Sequence, residues 1–354
     1  MNAARDHLDR TGIFPTAPFL VADVGGTYAR VALVQVPQHE GRPPDMLAYR
    51  KFACADFPGL SQLLQAFVES AVPGPVRRCV LACAGQVLGD EVLNDNFVWP
   101  IRLRQLRQAL ALDELAVLND FEALAYAFDP RAGCEARLLC GPDIHADGPI
   151  LVVGPGTGLG AAVRLPALAG GGVLTTEAGQ MDFAPNSVRE RDILAHLAPD
   201  GGYVAYERVV SGPGLLTLYG ALCALRGNMP RLGTPEAVTA AAAACADAQA
   251  VEAVEVFCGA LGSFAGSLAM TFMSMGGVYL AGGFLSSMFA LLERSAFEER
   301  FLHGRSVHAL LSRVPVRVTE HGRSGVLGAA SWYLQRAARG QAGPGQAVAA
   351  GALP

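Results

Sequence analysis

The stretch "FLVADVGGTYARVALVQV", residues 19–36, carries apolar and β-branched residues at both ends and a polar, flexible centre. The flanks favour β-strands. Between them stand Asp23, Gly25, Gly26 and Thr27, which no continuous strand would need. The pattern predicts two strands joined by a tight glycine turn, with a carboxylate at its rim.

A second stretch has the same plan about 130 residues later. "ILVVGPGTGLGAAVRL", residues 150–165, is again an apolar strand, a glycine turn and another strand. Apolar strands alternate with helical patterns along most of the interior, which indicates an α/β protein. The duplicated turn predicts two related α/β halves that face a cleft.

Both turns suit the binding of phosphate. Glycine tolerates positive φ and lets backbone N–H groups approach an anion closely, and successive N–H groups form a concave anion nest. Thr27 and Thr157 add hydroxyl donors, and Asp23 would hold Mg²⁺ through water, because Mg²⁺ keeps several waters in most protein sites. The alternative is that both are ordinary hairpins with glycine corners.

Two other nucleotide sites are excluded by what surrounds the glycines. "GTGLGA", residues 156–161, formally matches a dinucleotide fingerprint, but that site requires a helix directly after the turn. The following residues predict a strand, and the chain contains no G-x-x-x-x-G-K-[ST] sequence. The predicted phosphate site is therefore of neither the Rossmann nor the Walker type.

Length and composition set limits on the function. The 354 residues suggest two domains of about 150 residues each. Hydrophobic residues make up 51% and charged residues 17%, enough for a large core. A net charge of −5 argues against a broad nucleic-acid-binding surface.

The cysteines, the chain start and one long uncharged stretch favour a soluble, cytoplasmic protein. Eight scattered cysteines include no C-x-x-C pair and no zinc spacing, which favours reduced, buried thiols. The first ten residues lack the apolar segment of a signal peptide. Residues 256–292 carry no charge, but seven glycines interrupt them. A buried helix followed by a buried strand from about Val278 fits them better than a membrane span.

The predicted organisation has four parts. Residues 1–17 form a loose leader, 18–130 with 321–338 a small α/β domain, 131–320 a large α/β domain, and 339–354 a disordered tail. Strands are predicted at 19–24, 30–35, 78–83, 115–118, 150–153, 160–165 and 278–280. Helices are predicted near 59–70, 101–109, 121–127, 190–196, 214–225 and 250–272.

Three further stretches supply polar side chains. "LAVLNDFEALAYA", residues 115–127, places Asn119 and Asp120 where a strand ends and a helix begins, a usual position for chemistry in α/β folds. Asp120 could instead serve only as a helix N-cap. "TEAGQMDFAPN" and "AYERVVSGPG" supply Glu177, Gln180 and Glu207. Acidic and amide groups from separate loops suit a ligand rich in hydroxyls, although each alone is more often a solvated surface group.

An ordered set of motifs resembles the bacterial glucokinases of the ATP-dependent hexokinase superfamily. The set covers about residues 19–337 and comprises "DVGGTYAR", "LNDFEA", "GPGTGLG", "DFAPNS", "ERVVSGPG", "YLAGGF" and "GVLGAA". The cysteine cluster of the ROK sugar kinases is absent, and no helix-turn-helix domain precedes the first strand, so the resemblance is to the non-ROK branch. It implies two actin-like, ribonuclease-H-like domains, an ATP and Mg²⁺ requirement, a sugar substrate and a homodimer.

The resemblance also implies roles for single residues. Asp120 would be the general base for the sugar 6-hydroxyl. Asn119, Glu177 and Glu207 would bind the other hydroxyls, with Asn96 a weaker candidate. The nucleotide set is Asp23 for Mg²⁺, Gly25, Gly26 and Thr27 for the transferred phosphate, Gly156, Thr157 and Gly158 for the rest of the triphosphate, and Gly282 and Gly283 for adenosine.

The sequence departs from the family pattern in the sugar loop. Family members usually have E-G-G-H where this chain has "EAGQ", residues 177–180. Gln180 still donates and accepts hydrogen bonds, but its reach differs from that of histidine, and Ala178 matters if that backbone needs positive φ. "DN" at 95–96 replaces a frequent T-N. A kinase for another hexose and a non-catalytic sugar or ATP sensor therefore remain alternatives to a D-glucose kinase.

Overall fold

The computed structural model describes residues 17–36, 44–71, 74–93, 97–128, 136–166, 171–304, 306–319, 322–338 and 348–349. These residues form two compact units. Unit 1 comprises the described residues up to 128 and from 322 onward, and unit 2 comprises those from 136 to 319.

Unit 1 is built on a six-stranded sheet in the order β15-β8-β4-β1-β2-β3. Strands β1, β2 and β3 are antiparallel neighbours, whereas β1, β4, β8 and β15 run parallel. A second, three-stranded sheet in unit 1 has the order β5-β6-β7. The strands are β1 Phe19–Val24, β2 Tyr28–Gln35, β3 Asp45–Ala53, β4 Arg78–Cys83, β5 Gln86–Leu88, β6 Glu91–Leu93, β7 Ile101–Arg102, β8 Glu114–Asn119 and β15 Val348–Ala349.

Helices cover both faces of the unit 1 sheet. They are α1 Leu60–Ala71, α2 Leu103–Ala109, α3 Asp120–Ala127 and α12 Ser324–Ala338. Helix α1 buries Leu60, Leu63, Leu64 and Phe67, the spacing of one helical face. This face packs with α2 on one side of the sheet, and α3 and α12 pack on the other.

Unit 2 repeats this plan. Its sheet has the order β12-β11-β10-β13-β14-β9, formed by β9 Ala136–Cys140, β10 Ile150–Pro155, β11 Leu159–Arg164, β12 Val173–Thr176, β13 Gly277–Ala281 and β14 Val316–Thr319. Its helices are α4 Val188–Leu197, α5 Gly212–Leu225, α6 Pro235–Ala243, α7 Ala248–Thr271, α8 Gly283–Ser287, α9 Phe289–Glu293, α10 Phe297–Phe301 and α11 His308–Leu311.

The two sheets share one topology. The row β3-β2-β1-β4-β8 and the row β12-β11-β10-β13-β14 both begin with two antiparallel pairs and continue with two parallel pairs. The prediction of two related α/β halves, drawn from the repeated glycine turn, is confirmed.

The first part of the long uncharged stretch, residues 256–292, lies in helix α7. This helix is long and apolar enough to cross a membrane, but 78% of its apolar window is buried inside the protein. At Gly262 and Gly266, an added Cβ would overlap the backbone carbonyls of Phe297 and Phe301. The glycines therefore let α10 approach α7 closely, as in the core of a globular domain. The predicted buried helix and strand are confirmed.

The predicted strands and the six predicted helices are all present, with ends that differ by a few residues. The sequence patterns missed the helix α12, the short helices α8, α9, α10 and α11, and the strands β3, β5, β6, β7, β9, β12, β14 and β15. Within the tail that the sequence predicts to be disordered, Val348–Ala349 pair in parallel with β8. The predicted leader lies almost wholly outside the described residues.

Candidate functional site

The carboxyl ends of three parallel strands meet at one edge of unit 1. Val24 of β1, Cys83 of β4 and Asn119 of β8 are in register there. Burial raises the pKa of the Cys83 thiol far above its usual value, and the charges of Asp120 and Asp23 raise it further. Both carboxylates therefore lie near the same thiol, although they are 97 positions apart in the sequence.

The first glycine turn follows β1 directly. The Gly25 N–H donates to the Tyr28 carbonyl at 3.0 Å, and the Cys54 N–H donates to the Thr27 carbonyl at 2.9 Å. Gly26 is half-buried and Thr27 exposed.

The structure corrects the reason given for glycine at this turn. Gly25 does not adopt positive φ, and an added Cβ would come no closer than 3.5 Å to another atom, the Tyr28 carbonyl oxygen. The fold itself therefore does not require glycine there. What glycine provides is open space next to backbone N–H groups.

Asp23 is buried at this edge, with 4% of its surface exposed. Its Oδ2 lies 3.6 Å from the Arg30 guanidinium. A Cβ added to Gly325, in the first turn of α12, would come within 2.5 Å of the same oxygen. Asp23 thus offers one buried carboxylate beside the glycine turn, and a carboxylate oxygen is the type of ligand that suits Mg²⁺.

Asp120 is the first residue of α3, but it is not the N-cap. Asn119 fills that role, since its Oδ1 accepts from the N–H groups of Phe121 at 2.9 Å and Glu122 at 3.1 Å. The half-buried Asp120 carboxylate lies at the N-terminus of α3, and its Oδ1 also accepts from the Phe121 N–H at 2.9 Å. The N-cap position of α3 is therefore held by Asn119 and not by Asp120.

The second glycine turn, in unit 2, is built like the first. The Gly156 N–H donates to the Gly158 carbonyl at 2.8 Å, and the Gly212 N–H donates to the Gly156 carbonyl at 2.8 Å. Gly156 and Thr157 are exposed, and a Cβ at Gly156 would meet no atom within 4 Å. The chain then continues as β11, antiparallel to β10, so the exclusion of a Rossmann site is confirmed.

Glu207 connects this turn to the sugar loop predicted from the sequence. Its Oε2 accepts from the Leu159 N–H at 2.8 Å, and its Oε1 accepts from the Gln180 Nε2 at 3.3 Å. A Cβ at Gly158 would overlap the Glu207 carboxylate. Gly158 is therefore needed for this contact, unlike Gly156.

The "EAGQ" loop is not strained by its alanine. Glu177 is exposed and precedes a 3₁₀ turn, Ala178–Gln180, in which Ala178 is buried and has no positive φ. A Cβ at Gly179 would overlap the Leu159 backbone. Glycine is thus required at 179 and not at 178. The Tyr203 hydroxyl donates to the Gln180 main-chain carbonyl.

Gly282 and Gly283 lie beside the second turn. Strands β10 and β13 are parallel neighbours, and the glycines follow β13 just as Gly156 follows β10. Gly282 adopts φ of +138°, and its Cβ would lie 3.2 Å from the Pro155 carbonyl oxygen. Positive φ at this position is the conformation that favours glycine. Asn96, the remaining predicted residue, lies outside the described residues.

Comparisons with known proteins identify the family of this chain. The glucokinase family model matches residues 20–336. The chain is similar to a glucokinase-like protein from Xylella fastidiosa strain 9a5c, with 43% identity over 92% of this chain and 97% of that one. It is also similar to a glucokinase from Aromatoleum aromaticum, with 37% identity over 94% and 99% of the two chains. The crystal structure of glucokinase from an Antarctic psychrotroph matches with a TM-score of 0.77 and 29% identity, covering 90% and 99%.

The chain belongs to the glucokinase family. It is therefore an enzyme that phosphorylates a sugar, and its fold is that of the actin-like sugar kinases. The resemblance inferred from the ordered motifs is confirmed.

The sequence patterns missed two buried acidic groups close to the motifs of this glucokinase. Glu122, two residues after Asp120, is buried, and desolvation raises its pKa to about 7. A hydrogen bond with Trp332 and the charge of Arg336 act in the opposite direction and lower the pKa, but by less. Both partners belong to α12, a helix that the sequence analysis did not predict.

The second missed group is an ion pair in unit 2. Glu190 accepts from both terminal nitrogens of Arg300, at 2.6 and 3.2 Å, and from the Asn186 N–H at 2.6 Å. The Arg300 Nε donates to Ser263 at 2.9 Å. The pair therefore anchors the "DFAPNS" loop to α7 and α10. The sequence patterns do not reveal this pair, because its partners are 110 positions apart in the sequence.

Proposed function

We propose that this enzyme transfers the γ-phosphoryl group of Mg·ATP to the 6-hydroxyl of D-glucose, with Asp120 as the general base. The observation that supports this most directly is the placement of Asp120. Asn119 is the N-cap of α3, so the carboxylate that follows it at the strand edge is not the N-cap, although its Oδ1 accepts from the Phe121 N–H at 2.9 Å. The same edge carries the first glycine turn and Asp23.

In unit 1 the residues would act on the reacting groups. Asp120 accepts the proton of the sugar hydroxyl as the new phosphorus–oxygen bond forms. The N–H groups of Gly25, Gly26 and Thr27 bind the transferred phosphate, and Asp23 orients water around the Mg²⁺ ion. When bound, that ion neutralises charge on the phosphates. Positioning and charge neutralisation supply most of the acceleration in phosphoryl transfer.

In unit 2 the residues would bind the remaining parts of both substrates. Gly156, Thr157 and Gly158 bind the other phosphates, and Gly282 and Gly283 contact adenosine. Glu177, Gln180 and Glu207 bind sugar hydroxyls. Asn119 and, as a weaker candidate, Asn96 are further residues proposed to bind sugar hydroxyls. The hydrogen bond from Leu159 to Glu207 couples the phosphate turn to the sugar-binding carboxylate.

Gln180 bears on the choice of sugar. Gln180 donates to Glu207 at 3.3 Å, so its amide is already engaged with a neighbouring sugar-binding group. A site that pairs with each hydroxyl is sensitive to such changes. This observation favours, as the second candidate, a kinase for another hexose. The sensor hypothesis rests on the same departure and predicts binding without turnover.

The experiment is a coupled ADP-release assay with Mg·ATP and glucose, mannose, fructose, galactose, N-acetylglucosamine or no sugar. Asp120→Asn should lower kcat by about 10²- to 10⁴-fold, while Asp113→Asn, an exposed carboxylate near the other end of β8, should not. Equal turnover by Asp120→Asn would remove Asp120 as the base. Turnover with one other sugar alone would reassign the substrate, and none with any sugar would favour the sensor.

A soluble, cytoplasmic homodimer remains part of the proposal. The one described helix with the length and composition of a membrane span is mostly buried within the protein, which supports the soluble part. Sedimentation equilibrium would test the dimer.

A further inference from the structure

Lys51 is the only lysine in the sequence, although arginine is abundant. It lies on β3, and its side chain is exposed. Its Nζ lies 3.7 Å from the centre of the Tyr28 ring. Tyr28 is the residue directly after the first glycine turn, so the ammonium group is held close to the predicted phosphate site of unit 1.

Strand register places Lys51 on the same face as Asp23. Asp23 is paired with Arg30 across β1 and β2, and Arg30 is paired with Lys51 across β2 and β3. Directly paired residues project to one face of a sheet. Neighbouring strands lie about 4.8 Å apart, so the backbones of Asp23 and Lys51 are roughly 10 Å apart. The lysine side chain is long enough to cover part of that gap.

The row of paired residues Asp23, Arg30 and Lys51 contains two positive charges and one negative charge. The Arg30 guanidinium lies 3.6 Å from the Asp23 carboxylate. Among the described residues, no carboxylate forms an ion pair with Lys51. The face of an aromatic ring attracts an ammonium group while leaving N–H donors directed to solvent. Lys51 is thus a positioned cation with donors available to an anion.

We propose that Lys51, positioned by Tyr28, binds the phosphoryl group in transit, as the terminal phosphate of a nucleoside triphosphate or as the phosphate of the sugar product. An ammonium group binds phosphate as a point charge and needs no fixed orientation. The identity of these two ligands rests on the proposed function. Binding of a phosphoryl group by Lys51 can be measured without turnover.

The neighbouring residue provides a matched control. Arg50 is also exposed and lies over an aromatic ring, that of Phe52, but on the opposite face of the same strand. Lys51→Met and Arg50→Met each remove one positive charge and one cation–π contact, and Arg50→Met also removes a hydrogen bond to the Ser70 hydroxyl. Lys51→Met should raise KM for ATP about three- to five-fold at low salt, the range of an exposed charge pair, and Arg50→Met should leave it unchanged. Lys51→Arg should restore most of the loss.

Because there is one lysine, a spectroscopic probe can be placed on it alone. Reductive ¹³C-methylation keeps the charge and labels only Lys51 and the chain N-terminus, and Lys51→Met identifies which signal is which. Stacking on Tyr28 predicts an upfield Lys51 signal, which Tyr28→Leu should abolish. A non-hydrolysable ATP analogue and glucose 6-phosphate should each move the signal, and ADP should move it less.

The outcomes separate this inference from the proposed function. A ligand-dependent shift in a protein without sugar-dependent turnover would retain Lys51 as a phosphoryl-binding residue and refute the kinase proposal. Turnover with no shift, and with equal KM values for Lys51→Met and Arg50→Met, would refute the role of Lys51 alone. A shift with ADP equal to that with the triphosphate analogue would place Lys51 at an inner phosphate and overturn its assignment to the transferred group.

Discussion

Removal of Arg300 should measure how much one buried ion pair contributes to the free energy of unfolding of unit 2. Glu190 is 2% exposed and Arg300 contacts it through two nitrogens at 2.6 and 3.2 Å. Arg300→Met leaves a buried carboxylate with only the Asn186 N–H among the contacts described above. Loss of one partner of a buried pair costs about 3–5 kcal/mol. Glu190→Leu should cost as much, because it leaves the guanidinium buried.

The double variant distinguishes a buried-charge penalty from loss of packing. Arg300→Met with Glu190→Leu removes both charges and leaves the Asn186 N–H and Ser263 hydroxyl without these partners, about 1 kcal/mol each. We therefore expect the double variant to be more stable than either single variant. Arg189→Met provides the control, since Arg189 and Glu252 form an exposed pair at 2.9 Å worth less than about 1 kcal/mol.

Hydrogen exchange measured by mass spectrometry is the suitable assay. Both tryptophans, Trp99 and Trp332, belong to unit 1, so intrinsic fluorescence does not report on unit 2. A loss of 3–5 kcal/mol predicts exchange of the α4, α7 and α10 core amides that is faster by roughly 150- to 5,000-fold. Single variants that exchange like Arg189→Met, or a double variant worse than both, would refute the reasoning.

Gly156→Ala should leave the melting temperature within a few degrees of wild type, because its Cβ meets open space. The same variant should raise KM for ATP in the coupled assay. An unchanged KM would contradict phosphate binding at Gly156. Gly179→Ala should lower the melting temperature, because its Cβ overlaps the Leu159 backbone. Equal melting temperatures for Gly156→Ala and Gly179→Ala would contradict the expected difference between these two glycines. Burial raises the Glu122 pKa from 4.5 to about 7, so its charging costs stability as pH rises between those values and the cost stays constant above them. Calorimetry of Glu122→Gln should show a stability relative to wild type that increases from pH 5 to pH 8, and a constant difference would refute the buried-charge effect. Cys245 is the one exposed thiol among the seven described cysteines and should react first with a thiol reagent, as peptide mapping would show.

The sequence alone determined the plan of the fold. Its two glycine turns, each between apolar strands, predicted the repeated hairpin because strand and turn preferences are local. The ordered motifs predicted the family, and the strand after "GTGLGA" excluded a dinucleotide site. Helix α12 escaped prediction because its glycine-rich first turns have poor helix propensity, and its packing on α3 stabilises it.

Only the tertiary structure decided what the individual side chains do. Asn119 rather than Asp120 caps α3, a choice between adjacent residues that propensity does not make. Gly158 and Gly179 are required by contacts with Glu207 and Leu159, while Gly156 faces open space, although all are simply glycine in the sequence. Long-range pairing across strands and between helices creates these differences, and no local pattern encodes them.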